Sequence, residues 1–255
     1  MGGRADYYWD LLCMLTRTEF RLRDQGTWFG FLWTMLHPLF LFAVLYLLFM
    51  RWMAPHVPGY AAYLLIGIVQ WNFFASATTA GLTSLQRKAG LIASYSFPRV
   101  IIVLACVAAV LLSHLLEWAV LLAALLFMGV RPTALWLALP LLIGLELALV
   151  LGLSGLLAVC AVSLRDLERV WGLLLYGFFF LTPVFYASDI VGDPARGLLA
   201  LNPLAMIIGA TRAALTGAAA PAGGRTLLLA AALVLFCAAS LGSFGRLSRG
   251  IAERL

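Results

Sequence analysis

Six long stretches of this 255-residue chain carry almost no charge, and together they cover most of its length. Residues 31–50, 61–85, 170–188 and 226–244 contain no Asp, Glu, Lys or Arg, while 100–130 contain only Glu117 and 132–164 only Glu146. A hydrocarbon core of roughly 30 Å asks for about 20 apolar residues in a helix, and each stretch meets or approaches that length. With 64% hydrophobic residues and a mean hydropathy of +1.02, a water-soluble domain would lack the polar surface to cover itself. The expected fold is an all-α integral membrane protein with six transmembrane helices.

The charges gather in the connections and give an orientation. Of the 17 Lys and Arg, alternate connections hold 12 and 5. The positive-inside rule then predicts both termini in the cytoplasm and the connections at 51–60, 131 and 189–225 outside. The net charge of +6 therefore reports on orientation, and no basic patch with interleaved aromatics supports nucleic-acid binding. Asp6, Asp10, Glu19 and Asp24 fall within the first 30 residues, so no cleavable signal is expected there. Cys13, Cys106, Cys160 and Cys237 are scattered singly and read as small core residues.

Before the first apolar stretch, residues 7–24 have helical period. Asp10, Arg17, Arg21 and Asp24 share one stripe, with Tyr8, Leu11, Leu12, Leu15 and Leu22 opposite, as in a helix lying in the inner interface. Glu19 and Arg23 break the apolar side at i and i+4, where they can pair. Arg17, Arg21 and Arg23 are the expected anchors to membrane lipids. Pro140 predicts a bend in the fourth stretch. Residues 198–215, interrupted by Asn202-Pro203 and Arg212, are too short and broken to span, which points to outer re-entrant or interfacial helices between the fifth and sixth spans.

Lys88, the one lysine, sits in Arg87-Lys88-Ala89 and in no phosphate-binding loop. The chain is expected to be no enzyme, without catalytic or metal-binding residues; if it moves cargo with ATP, another chain hydrolyses it. His114 and Glu117 lie three apart on one helical face and Glu146 lies in the next stretch. A proton relay or a metal site competes here with plain hydrogen bonding between helices, and the last is expected. Aromatic clusters at Trp71–Phe74 and Phe178–Tyr186 include Trp71, Phe74, Phe178 and Tyr186. A lipid-facing belt accounts for about half of the clustered rings; as a channel lining they would offer flat faces to sugars. Residues 85–99 form a basic, mildly amphipathic connection closed by a proline, suited to a short helix presenting Leu91, Ile92 and Tyr95 to a partner, or to lipid alone.

Phe29-Gly30-Phe31-Leu32-Trp33 with His37-Pro38-Leu39, Gly90-Leu91-Ile92 through Phe97-Pro98-Arg99, Arg165-Asp166-Leu167, Thr182-Pro183-Val184-Phe185-Tyr186 and Leu201-Asn202-Pro203-Leu204 follow one another in an order that resembles the permease subunits of bacterial ABC exporters of polysaccharides, the ABC-2 branch serving O-antigen, capsule and teichoic acid. His37 departs from the Asn usual before that proline. The resemblance implies a homodimer in the bacterial inner membrane with a channel between the subunits. Each subunit would be bound to a cytoplasmic ABC ATPase that holds the ATP and Mg, and the cargo would be a lipid-linked polysaccharide. It makes 85–99 the coupling region, with Arg87, Lys88, Leu91, Ile92, Tyr95, Phe97, Pro98 and Arg99 facing the ATPase. The whole of 1–255 then reads as one permease domain: an interfacial helix to residue 29, the bundle over 30–245 and a cytoplasmic tail over 246–255. The rivals are an exporter of small hydrophobic molecules or drugs and a proton-coupled carrier using Glu117 and Glu146. A membrane-embedded transferase is disfavoured, because Asp166 and Glu168 fall on the opposite side from Asp189 and Asp193.

Overall fold

Lipid offers backbone amides no outside partner, so a chain written for it must satisfy them internally. Among the residues that the computed structural model describes (3–24, 30–164, 166–190, 192, 197, 199, 201–217 and 223–247), the chain is helical with short connections and no strand. In order these are α1 (Arg4–Asp24), α2 (Gly30–Met53), α3 (Tyr60–Arg87), α4 (Ala89–Ser94), α5 (Val100–Phe127), a 3-10 turn (Ala134–Ala138) running into α6 (Leu139–Ser163), α7 (Leu167–Leu181), α8 (Pro203–Thr216) and α9 (Gly223–Leu247). Met35–Met53, Tyr60–Arg87, Val100–Phe127 and Ala134–Ser163 are long and apolar enough to cross a bilayer. The fourth stretch divides differently from its expected bend: Pro140 lies in the first turn of α6, where a missing N–H costs nothing, and marks the handover from the 3-10 turn.

The third helix is the axis of the bundle, packed by α2, α5, α6, α7 and α8. Its core carries Leu64, Ile68, Phe73, Ala77 and Leu82, joined by Val107 and Val110 of α5, Leu145 and Val150 of α6, and Ile207 and Ile208 of α8. With lipid outside, the hydrophobic effect does not drive helices together, and close contact through small residues does. Ser240 of α9 donates to the Gly152 carbonyl at 2.6 Å, and a Cβ on Gly152 would fall 2.6 Å from the Phe236 ring. The second helix stays peripheral, with Phe40, Leu47 and Trp52 exposed, and so does α7, with Leu173, Tyr176 and Phe180 exposed. Of the four cysteines only Cys106 is buried, while Cys13 and Cys160 are exposed, as apolar residues can be when the surroundings are lipid.

The first helix lies across α5. Leu15 is buried on Ile101 and Ala105, with Tyr8, Leu11, Leu12, Leu91 and Phe97 packed around them, while Asp10, Arg17 and Arg21 face outward and Leu22 of the apolar set is exposed. Asn202 caps α8, its Oδ1 accepting from the amides of Leu204 (3.0 Å) and Ala205 (3.3 Å), and Gly217 at φ 72° closes it.

Candidate transport site

Where α7 stops, the backbone remains buried without remaining helical. Thr182, Pro183, Val184 and Phe185 are all buried; the Val184 amide serves the Thr182 carbonyl at 2.7 Å, and the carbonyls that follow take their donors from side chains. Arg212 of α8 donates from Nη1 to the Pro183 carbonyl and from Nη2 to that of Val184, both at 2.7 Å. The Tyr60 hydroxyl donates to Phe185 (2.8 Å) and the Tyr63 hydroxyl to Tyr186 (2.9 Å). Nε of Arg212 reaches the Tyr63 carbonyl at 3.0 Å, and its guanidinium lies 3.3 Å over the Tyr63 ring. Asn202 Nδ2 ties Thr182 Oγ1 at 3.0 Å. Gly67 makes this approach possible: a Cβ there would meet Arg212 Nη2 and fall 2.7 Å from the Val184 carbonyl. Counted in the sequence among the charges of a connection, Arg212 is 5% exposed and structural.

Two cavities meet at Trp71. One, of about 720 Å³, runs beside α3 between α1, α2, α5 and α7. Its wall carries Asn72, Ser76, Thr79, Thr83 and Gln86, with His37 and Pro38 of α2, Glu19 and Arg23 of α1 and Glu168 of α7 around it. The other, of about 670 Å³, is apolar and lies toward the Arg212 joint. Trp71, Phe74, Phe178 and Tyr186, singled out in the sequence as separate clusters, line this one cavity together with Trp171, Leu149 and Pro203. Ring contacts run Trp71–Phe179 (5.4 Å), Phe179–Phe185 (5.7 Å) and Phe185–Tyr186 (5.1 Å). Residues 72, 76, 79, 83 and 86, by contrast, did not emerge from the sequence as candidates. The signal was a polar stripe at helical spacing along a mostly apolar helix.

At the Arg87 end of α3 the connection folds back on the chain. Ile92 is buried with Leu85, Ile102, Cys106 and Phe244, and Leu91 packs near Leu15 of α1. Tyr95 is 68% exposed, Pro98 is exposed, and Phe97 and Arg99 are half-buried. A cavity of about 320 Å³ lies along Ile92–Phe97 and Arg99. Glu19, buried on α1, forms an ion pair with Lys88 and lies 3.9 Å from Arg87, linking α1 to this connection. Of the predicted anchors, Arg17, Arg21 and Arg23 are exposed on α1.

The carboxylates in the bundle take hydrogen bonds from neighbouring helices, while His114 bonds within its own helix. Asn72 of α3 donates to Glu117 of α5 at 2.9 Å, and Gln70 bridges Glu146 of α6 (3.4 Å) and Thr211 of α8 (3.0 Å). Trp118 Nε1, which can only donate, reaches His114 Nε2 at 2.7 Å; that nitrogen must therefore accept, which puts the ring proton on Nδ1, 3.5 Å from Glu117. Among the described residues no three His, Cys, Asp or Glu are grouped to hold a metal.

Long apolar helices around a polar and an aromatic cavity are the architecture of a multi-pass membrane protein. The chain belongs to the ABC-2 type transporter family, whose sequence profile matches residues 10–216, and it is a multi-pass membrane protein. It is similar to an O-antigen export system permease protein RfbA of Klebsiella pneumoniae, with 32% identity over 209 residues, 82% of this chain and 81% of that protein. A second RfbA permease protein from Klebsiella pneumoniae is 30% identical over the same length, and one from Myxococcus xanthus is 30% identical over 203 residues, 79% of this chain and 78% of its own. The resemblance read from the motifs and the similarity over four-fifths of each chain agree.

Proposed function

We propose that this chain is the transmembrane subunit of an ATP-driven exporter that moves a lipid-linked polysaccharide across the cytoplasmic membrane, working as a homodimer with a separate ATPase. The observation that carries the reading is similarity to O-antigen export permease proteins along four-fifths of the chain. The gathering of Trp71, Phe74, Phe178 and Tyr186 around one cavity supports it, since flat aromatic faces hold sugars without fixing a particular glycan. In this reading α7 with its buried joint is the fifth span, α9 the sixth and α8 an outer re-entrant helix, which gives six spans with both termini cytoplasmic. The interior position of Arg212 supports that orientation, because removing it from the outer connections leaves four basic residues there against 12 inside. The exposed apolar faces of α2 and α7 are the surfaces a second copy would cover. Residues 85–99 dock on the ATPase, with Tyr95 the side chain most available to it.

The test is surface polysaccharide in a strain deleted for this gene. Deletion should abolish the surface chains and leave lipid-linked chains inside, and the Ala variants of Trp71, Phe74, Phe178 and Tyr186 should restore export poorly while remaining in the membrane. Normal surface glycan after deletion, with altered resistance to apolar drugs, would overturn the polysaccharide reading in favour of a small-molecule exporter.

A further inference from the structure

Glu19 stands on the wrong side of α1 for a helix that only rests on its neighbours. It is one helical turn beyond Leu15 and buried with it, while Arg17, Thr18 and Arg21 are exposed. A carboxylate placed there loses hydration and adds no apolar contact, so the packing of α1 gives no reason for it. The cation it meets does. Glu19 pairs with Lys88, the one lysine of the chain, at the point where α3 stops at Arg87 and α4 starts at Ala89. Arg87, 3.9 Å from the same carboxylate and 58% exposed, is a second and weaker partner. Leu91 and Phe97 complete the contact, packing with Leu11 and Leu12 around Leu15, Ile101 and Ala105.

The 85–99 connection is thereby joined to two sides of the bundle. One is direct, since it continues α3 and buries Ile92 beside Leu85 and Ile102. The other runs through α1 to α2, which starts at Gly30, six residues after Asp24. The second helix stacks on α3 at the Tyr60 end, Tyr46 lying 6.1 Å from Tyr60, and toward its start His37, Pro38 and Leu41 line the cavity of about 720 Å³ that Thr79, Thr83 and Gln86 of α3 also line. Apolar contacts between α1 and the connection can slide. The ion pair cannot part without leaving a buried charge uncompensated. We infer that Glu19 is a positioning residue for transport: through Lys88 it straps α1 to the junction of α3 and α4, so that displacement of the connection moves α1 and the start of α2 together with α3. This rests on the reading of 85–99 as the segment that meets the ATPase, and it adds the route by which one docked segment acts on helices on both sides of that cavity.

The experiment complements the deletion strain with Glu19→Gln, Glu19→Lys, Lys88→Glu and the exchange E19K/K88E, and follows three quantities: co-purification of the ATPase subunit, ATP hydrolysis by the complex, and surface glycan. Glu19→Gln should leave co-purification and hydrolysis near wild type and lower glycan exported per ATP hydrolysed about fivefold, the worth of one partly screened ion pair. A residue that only holds α1 in place would lower export in proportion to the amount of complex. The exchange restores an opposite pair at the same place, so E19K/K88E should export at least threefold more per ATP than the worse of its two single variants. It also decides the matter if Glu19→Gln inserts poorly. Wild-type export per ATP by Glu19→Gln overturns the strap, and so does an exchange no better than its single variants, or a loss that tracks the amount of complex; each leaves the exporter reading intact. Normal surface glycan after deletion, or no ATPase subunit co-purifying with the wild-type chain, removes the exporter reading and the strap together.

Discussion

The two ends of α3 solve the same problem in opposite ways. At the Tyr60 end, four consecutive residues leave helical geometry inside the bundle, and the carbonyls of Pro183, Val184, Phe185 and Tyr186 are each taken by a side chain, from Arg212, Arg212, Tyr60 and Tyr63. At the Arg87 end, residues 95–98 also leave helical geometry, but Tyr95, Ser96 and Pro98 are exposed and water can serve their backbone. The first arrangement is closed and leaves nothing for a partner to add. The second is open, tethered through Ile92 and the Glu19–Lys88 ion pair, and presents Tyr95 outward. In the proposed reading, the open end is the one that meets the ATPase subunit and the closed joint lies at the far end of the central helix.

Substitutions at three positions would break or sharpen that contrast, and the largest effect is expected at Arg212. Replacing it with Met removes two donors from buried carbonyls and a third from Tyr63, at about 3–5 kcal/mol. Lys should recover only part of this, because one ammonium cannot reproduce the planar fork that serves Pro183 and Val184 together. Thermal unfolding of the purified protein in detergent reads both; wild-type melting of Arg212→Met would show that the joint is not held as described.

An intermediate effect is expected from Glu19→Gln. Glu19 is buried, but Lys88 keeps some contact with water and Arg87 is 58% exposed, so screening reduces the worth of the pair to roughly 1–2 kcal/mol. The loss should show as earlier proteolysis within α1 with little change in global melting. A full-sized drop in melting temperature would mean that this end is as closed as the other.

The smallest effect on stability belongs to Tyr95→Ala, within about 0.5 kcal/mol of wild type because the side chain is exposed. Its cost should fall on association with the ATPase subunit, measured by co-purification in mild detergent. Leu91 and Ile92 are poor probes of docking despite their place in the same amphipathic segment, because Ile92 is core and Leu91 packs near α1. Unchanged co-purification of Tyr95→Ala would remove the proposed role of this end.

Much of this was legible in the residues themselves. Of the six charge-poor stretches read as spans, four coincide with helices that are long and apolar enough to cross a membrane among the described residues, and Asn202-Pro203 marked the start of α8 through a side-chain cap and a proline that needs no donor. The Thr182-Pro183 break announced a loss of helix. Its remedy was not visible, because Tyr60 and Phe185 stand 125 residues apart in the chain. Glu19 shows the same limit: its neighbours in sequence suggest Arg23 at i+4, while the fold brings it Lys88.

By itself the sequence determined that the chain is helical and crosses lipid, since a backbone without water must pair within its own segment and the apolar runs state where. It also carried the family, through motifs whose order survives in the chain. Tertiary structure alone decided that Arg212 is interior, that the two aromatic clusters share one cavity and that Ser76, Thr79 and Thr83 of α3 face another. Those facts depend on which helix faces lie against each other, and helix rotation and neighbour choice are set by packing among distant segments, which no local pattern of residues contains.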